Sequence, residues 1–495
     1  MHDSLDVLLH GEPTASLRRT RSDRLELQYR RAEGLSVSLS MKPRAKPYAG
    51  EVVLNWIDNL LPDDERLRST WARDNKAAST SPFDLLATPI GEDCAGAVQF
   101  APSEEVDRLQ LRGGDAEVAS IDWIEQRLAE LRHAADTWQS LDHSLLMHSI
   151  GGLQPKLGLH RLDDGQWARP RGDIPTTHIL KPAPRAEWSH LDLNEHICLT
   201  AARTLGVAAA TTSYEHFGEQ SALIVERFDR RRTGGVWRRL HAEDLCQAFG
   251  LRPDQKVEDR GGPSIRAISR LLRTCAPNAA EGDDAVRRFA QALVLNLVIV
   301  GSDAHAKNYT LVHRSDSTAT LAPLYDVASN LGHVRASHDP AEYEAMVLAM
   351  RFGDGYTIGG ATAPSAWRTL ADELRIDRDF LTERARHFAD GFGDAAQAEI
   401  ARLDAAGRLD EAEHDFCARM MSRFRIWEAH LCSLPALRSS KPARRASPRA
   451  DAQPPSRAIR CNQRLRHGAL CNRRLRDAPC PLHPNSPGSR NIRAR

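Results

Sequence analysis

The chain has 495 residues, 41% of them hydrophobic and 27% charged, with a formal net charge of +1. That length holds about two to four domains, each large enough to bury its own core. No apolar run reaches the ~18 residues that suggest a membrane span, and Met1-His2-Asp3-Ser4 lacks the basic-then-apolar layout of a secretory signal. A soluble cytoplasmic protein that does not engage membranes is therefore expected. The near-neutral total hides an asymmetry: residues 436–495 carry 14 Arg and one Lys against two Asp, which leaves the body acidic. Any affinity for nucleic acid is expected in that basic tail.

In chain order, residues 1–47 read as short strands and turns. A strand is predicted at 5–9, a charged segment at 18–31, and a half-buried strand at 35–39, where Leu35, Val37 and Leu39 alternate with serines. The spacing of Val53, Trp56, Ile57, Leu60 and Leu61 predicts a helix over 52–61, stopped by Pro62. A short helix at 82–86, a strand at 97–100 and a charged helix over 121–137 follow. The next stretch is β-rich. It has a glycine-bearing loop at 149–156 running into a strand, a strand at 177–181 ending on Lys181, a helix over 193–205 with Glu195 in its first turn, and a buried strand at 222–228. Beyond Glu243 the chain reads as mostly helical. Phe289, Leu293, Leu297 and Val300 recur at helical spacing, strands follow at 309–313 and 318–324, and helices return over 367–431. After Pro435 the composition turns to Pro, Ser and Arg, which reads as largely disordered.

The stretch Gly301-Ser302-Asp303-Ala304-His305-Ala306-Lys307-Asn308 holds an Asp and an Asn five positions apart, and Tyr325-Asp326 follows one hairpin later. A kinase needs an Asp to accept the substrate proton, plus an Asn and a second Asp to hold magnesium, and this is its catalytic-loop spacing. Each of these residues can also serve merely as a turn or cap. In order behind a glycine loop, a strand lysine and an outgoing strand, they favour a kinase. Around Gly151 and Gly152, backbone N–H groups can approach phosphates, with Gln154 and Lys156 alongside, although the loop matches neither the kinase nor the P-loop glycine pattern and a plain turn is the simpler alternative. Lys181 suits ATP phosphates with Glu195 as partner; a snorkelling lysine and a first-turn glutamate are the bland readings. Lys307 suits the transferring phosphate, while His305 can brace the loop. Glu226 and Phe228 mark a hinge that would receive adenine, though packing alone also explains Phe228.

Together, Ser149–Lys156, Thr177–Lys181, Val225–Arg230, Glu243–Gln247, Asp303–Asn308 and Leu324–Asp326 resemble the HipA family, the serine/threonine kinase toxins of HipBA toxin–antitoxin modules. Asp58–Asp63 and Pro82–Leu86 resemble that family's small N-terminal subdomain, so the likeness runs from about residue 5 to 430. The resemblance implies an α+β, two-lobed protein-kinase-like fold. Residues 1–110 would be the α/β N-terminal subdomain, 111–242 a β-rich N-lobe, 243–434 a helical C-lobe and 435–495 a basic tail. It implies ATP and Mg²⁺ as cofactors, Asp303 as catalytic base, Asn308 and Asp326 as Mg²⁺ ligands, and Lys181 as the ATP-phosphate lysine. Ser149 would be the autophosphorylated residue that shuts the enzyme off. The implied substrate is an aminoacyl-tRNA synthetase, and the implied partner is a HipB-like helix-turn-helix antitoxin that binds operator DNA. The sequence departs from the family pattern around Gly152, at Pro155 and at Val300-Gly301-Ser302. A small-molecule kinase on the same fold, or a catalytically silent ATP-binding co-repressor, are the alternatives.

The tail lies outside that likeness. Cys461, Cys471, Cys480 and His483 offer a Cys₃His set suited to tetrahedral Zn²⁺. Incidental cysteines in a disordered basic tail are the alternative. Its intervening arginines suit a phosphate backbone.

Overall fold

The computed structural model describes residues 3–111, 114–137, 156–171, 174–184, 188–315, 317–333 and 339–435, together with two short strands, Ile459–Arg460 and Arg474–Leu475. The chain divides into two compact units, Met1–Arg438 and Ser439–Arg495. In the second unit the two short strands pair antiparallel. Cys461, Cys471, Cys480 and His483 lie outside the described residues.

At the start of the first unit is an antiparallel five-stranded sheet, ordered Tyr48–Ala49, Leu25–Tyr29, Glu12–Arg19, Ser4–Leu9 and Val98–Ala101. Alternation along Leu25–Tyr29 puts Leu25, Leu27 and Tyr29 inward. There they join Trp56, Phe83 and Phe100 in one apolar cluster. The helix Pro82–Leu86 begins as its sequence dictates, with Ser81 accepting from the Asp84 N–H and proline in the first turn. The charged segment at 18–31 supplies parts of two strands, because only their inward positions are apolar.

A six-stranded sheet follows, ordered Thr212–Phe217, Gln220–Glu226, His178–Lys181, Leu157–Arg161, Trp167–Arg171 and Asp115–Val118. The helix Ile121–Thr137 and the helix Leu191–Thr204 both pack on its first two strands. The third core is helical: Ile265–Cys275, Ala279–Val298, Pro364–Leu374, Arg378–Ala405 and Glu411–Ser433 bury Phe289, Trp367, Phe392 and Trp427 in one cluster. A small sheet of Ala242–Asp244, Thr310–His313 and Ala319–Leu321 lies beside it. No helix among the described residues is long and apolar enough to cross a membrane.

Four expectations need correction. Residues 35–39 form no strand; that segment shows only an isolated bridge between Ser38 and Met41. Ser38 bonds across to Glu243 instead, its Oγ donating to Oε2 at 2.6 Å while the Leu39 N–H donates to Oε1 at 2.8 Å, and Ser36 donates locally to the Met41 carbonyl at 3.3 Å. Glu195 lies beyond the first helical turn, whose acidic residue is Asp192, because the helix starts at Leu191. The outgoing strand ends at Glu226, and the N-terminal helix runs over Glu51–Asp58, with Leu60 and Leu61 buried in the turn after it. The helical lobe also contains a hairpin, Val347–Phe352 with Gly355–Thr357, that the periodicity did not reveal.

Candidate active site

Lys181 closes its strand with its side chain inside the sheet–helix interface, 3% exposed. Strand pairing fixes that placement, since Lys181 lies opposite Leu223 of the outgoing strand. One helical turn past Leu191, Glu195 points back at the sheet. Lys181 Nζ donates to Glu195 Oε1 at 2.9 Å and Oε2 at 3.2 Å, and also to Asp326 Oδ1. Burial opposes the Lys181 charge, but Asp326 and Glu195 outweigh it and raise its pKa above the ordinary lysine value. Burial pushes the Glu195 carboxyl up to about 7 against the pull of Lys181. Asp326, its side chain 33% exposed, is held down at about 2 by Lys181 and Lys156 against desolvation. Lys156, at the exit of the glycine-bearing loop, is lowered by burial to about 8, with Asp326 opposing.

Asp326 sits in the left-handed region at φ 53°, a conformation that aspartate tolerates better than most residues. Its segment is tied to the Glu195 helix next to the ion pair: Asn194 Nδ2 donates to the Ser329 carbonyl at 2.7 Å, and the Ser329 N–H to Asn194 Oδ1 at 3.0 Å. The Tyr325 ring stacks on Phe228 at 5.6 Å between centroids, which joins the expected hinge to the segment that carries Asp326. Glu226 is exposed, and its N–H is already given to the Thr211 carbonyl at 2.9 Å.

The loop from Gly301 to Asn308 is one tight turn. Asn308 Nδ2 donates to the Asp303 carbonyl at 2.7 Å, and the Asn308 N–H to the His305 carbonyl at 3.0 Å. These bonds face the Asp303 carbonyl inward and leave its side chain 86% exposed. His305 Nε2 lies 3.8 Å from Asp303 Oδ1, and burial lowers the imidazole below its ordinary range against the attraction of Asp303. Lys307 is buried, and its ammonium donates to Asp63 Oδ1 at 2.6 Å. Its carbonyl accepts from the Tyr325 hydroxyl at 2.8 Å.

Thus the chain assembles Lys181, Glu195, Asp326 and Lys156 at one point, and Asp303, His305, Lys307 and Asn308 in one turn. Ser149, Gly151, Gly152 and Gln154 lie outside the described residues. The sequence reading missed Asp63, Asn330 and the buried network after the outgoing strand. In that network Arg227 makes a two-pronged bond to Asp229 at 2.9 and 2.7 Å, and Arg230 Nη2 reaches Asp93 of the N-terminal subdomain at 3.1 Å. The Arg227-Phe228-Asp229-Arg230 charge pattern was the available signal for it. Among the described residues no cluster of three or more His, Cys, Asp or Glu could hold a metal ion.

A β-rich lobe joined to a helical one, with a buried lysine–glutamate pair above an Asp/Asn loop, defines a protein kinase. Comparison with known proteins agrees. A model of the HipA-like C-terminal domain matches residues 148–399, and one of the HipA N-terminal domain matches residues 5–101. The serine/threonine-protein kinase toxin HipA of Shewanella oneidensis is 31% identical over 376 residues, 73% of this chain and 79% of that protein. Y4mE of Sinorhizobium fredii is 30% identical over 366 residues, 73% of this chain and 82% of that one. The solved complex of Shewanella oneidensis HipA with HipB and operator DNA superposes with a TM-score of 0.71 at 24% identity, covering 86% of this chain and 97% of that one. The chain belongs to the HipA family.

Proposed function

We propose that the protein is a serine/threonine kinase toxin that moves the γ-phosphoryl group of ATP to a serine of an aminoacyl-tRNA synthetase and so arrests translation. The observation that carries this reading is the Lys181 ammonium held between Glu195 and Asp326 at bonding distance, beside a loop that presents the exposed Asp303 carboxylate. A buried cation with a fixed partner suits nucleotide phosphates, and an exposed carboxylate is free to accept a proton from a seryl hydroxyl. The oxygen donors of Asn308 and Asp326 fit Mg²⁺, a hard cation that prefers carboxylate and carbonyl oxygen. Bound there, Mg²⁺ would neutralise charge on the phosphates. Lys307 and Lys156 add positive charge around the loop, while the Phe228–Tyr325 stack offers an apolar wall to the base.

In this reading Ser149 is the autophosphorylation site. A phosphate there adds close to two negative charges beside the nucleotide phosphates and so shuts the enzyme off. The family resemblance supports this role for Ser149. The likeness to HipA solved with HipB and operator DNA supports a HipB-like helix-turn-helix antitoxin as partner. Operator binding would run mainly through that antitoxin, helped by the basic tail. The test is a panel of purified aminoacyl-tRNA synthetases incubated with the protein and labelled Mg-ATP. Label on one synthetase, absent with Lys181→Met, is the expected outcome. No transfer to any protein, with operator DNA still bound alongside the antitoxin, would establish a silent co-repressor instead.

A further inference from the structure

The N-terminal subdomain reaches the catalytic turn through one carboxylate. Asp63 follows Pro62 in the turn that leaves the Glu51–Asp58 helix, and that helix is bonded directly to the helical lobe. Asn55 Nδ2 donates to the Gly250 carbonyl at 2.8 Å, Asn59 Nδ2 to the Leu251 carbonyl at 2.8 Å, and Gln247 Nε2 to the Trp56 carbonyl at 3.1 Å. Arg68 then closes the turn, donating through Nε to the Pro62 carbonyl at 2.6 Å and through Nη1 to Asp58 Oδ1 at 2.5 Å. With its backbone fixed in this way, Asp63 presents one oxygen to Lys307 at 2.6 Å and the other to Lys256 at 3.2 Å. Burial would push this carboxyl up, but the two ammonium groups hold it below the usual carboxylate range.

Lys307 is held at both ends. Its ammonium goes to the subdomain, 244 positions away in sequence, and its carbonyl to Tyr325, the residue before Asp326. The next residue, Asn308, ties the turn back to the Asp303 carbonyl. If the Asp63 charge is removed, two largely buried ammonium groups lose the carboxylate that bonds both of them, Asp244 remains near Lys307 to offset part of the charge, and the turn must shift to relieve them.

We infer that Asp63 is a positioning residue for phosphoryl transfer: by anchoring Lys307 it holds Asp303 and Asn308 in register, so catalysis depends on the docked N-terminal subdomain. The inference rests on the kinase reading above. It is tested on the full chain with γ-labelled Mg-ATP, measuring the maximal rate of label transfer to the chain or to water and the half-saturating ATP concentration. Asp63→Asn should lower the maximal rate about 10²-fold, as a displaced catalytic turn does, while half-saturating ATP stays within about twofold. Asp63→Glu should recover part of the rate. Adding Asp63→Asn to Lys307→Met should cost nothing beyond Lys307→Met alone, because the two residues act as one unit. Asn59→Ala weakens the same docking contact without touching the carboxylate, and serves as the stability control. A wild-type rate in Asp63→Asn, or losses in Asp63→Asn and Asn59→Ala that simply follow melting temperature, would overturn the inference. If the wild-type chain itself transfers no label, the kinase reading fails; a dead Asp303→Ala beside an unaffected Asp63→Asn removes only the role of Asp63.

Discussion

Lys181 faces two carboxylates that titrate in opposite directions, Glu195 pushed up to about 7 and Asp326 held near 2. Asp326 is therefore ionised at neutral pH, whereas burial opposes the Glu195 charge and Lys181 favours it. Lys156 supplies the measurable pH handle. Below about 8 its ammonium is charged and, in the kinase reading proposed above, would attract nucleotide phosphate; above that value the charge is lost. The kcat/KM for ATP, which reports the free enzyme, should fall as pH rises through about 8, and Lys156→Met should remove that limb while lowering the plateau. An unchanged limb in Lys156→Met would assign it to another group. At this scale much of the site was legible. A lysine ending an apolar strand, a glutamate on the next helix and an Asp/Asn pair five apart are local patterns. Asp63 was not legible, because its partner lies 244 positions away and only the folded chain brings them together.

The entry to the Asp303–Asn308 turn is the strained element. The helix Ala279–Val298 ends three residues before Gly301, and Val300 sits at φ 57°, a left-handed conformation that a β-branched residue rarely adopts. Asn330 holds it there. Its N–H donates to the Val300 carbonyl at 3.2 Å, and its Nδ2 reaches the same carbonyl at 2.7 Å and Ser302 Oγ at 2.8 Å. Gly301 has no room for a side chain, since a Cβ there would lie 2.5 Å from Asn296 Oδ1. Asn330→Ala should therefore lower the maximal transfer rate by about 10-fold or more, through a misplaced Asp303, and single-turnover kinetics would show it. A wild-type rate would mean that the turn holds its shape without this brace. The helical spacing of Phe289, Leu293 and Leu297 predicted the approach to this turn. The brace was hidden, because one asparagine in a polar stretch carries no periodic signal. Residues 35–39 misled in the opposite way: they alternate without strand pairing, Ser38 docking on Glu243 while Ser36 turns back on the Met41 carbonyl.

Across the whole first unit, the N-terminal subdomain is fastened to the lobes by buried charge. Asp229 accepts from Arg227, Arg230 and the Gly96 N–H, and Arg230 continues to Asp93. Although burial opposes it, the Asp229 carboxyl is held at about 2 by Arg227 and Arg230. A carboxyl lowered on folding contributes stability that is complete above its unfolded value and is lost as pH falls through the folded one. Asp229 should thus account for about 2 kcal/mol that disappears between roughly pH 4 and pH 2. Asp229→Asn should destabilise the chain at neutral pH by about 3–5 kcal/mol, by leaving two arginines without their counter-charge. Urea denaturation at pH 7 and pH 3 measures both effects; equal losses at the two pH values would contradict the assignment. The overall division into a β-rich and a helical part was readable from strand and helix periodicity, whereas the fastening depended on polar contacts made across the chain.

The most direct measurement of the central claim is phosphosite mapping after incubation with Mg-ATP, comparing the wild-type chain with Asp303→Ala. Phosphate on Ser149 of the wild type and none in Asp303→Ala is the predicted result. Equal phosphorylation of the two chains, or none in either together with no synthetase labelled, would contradict it.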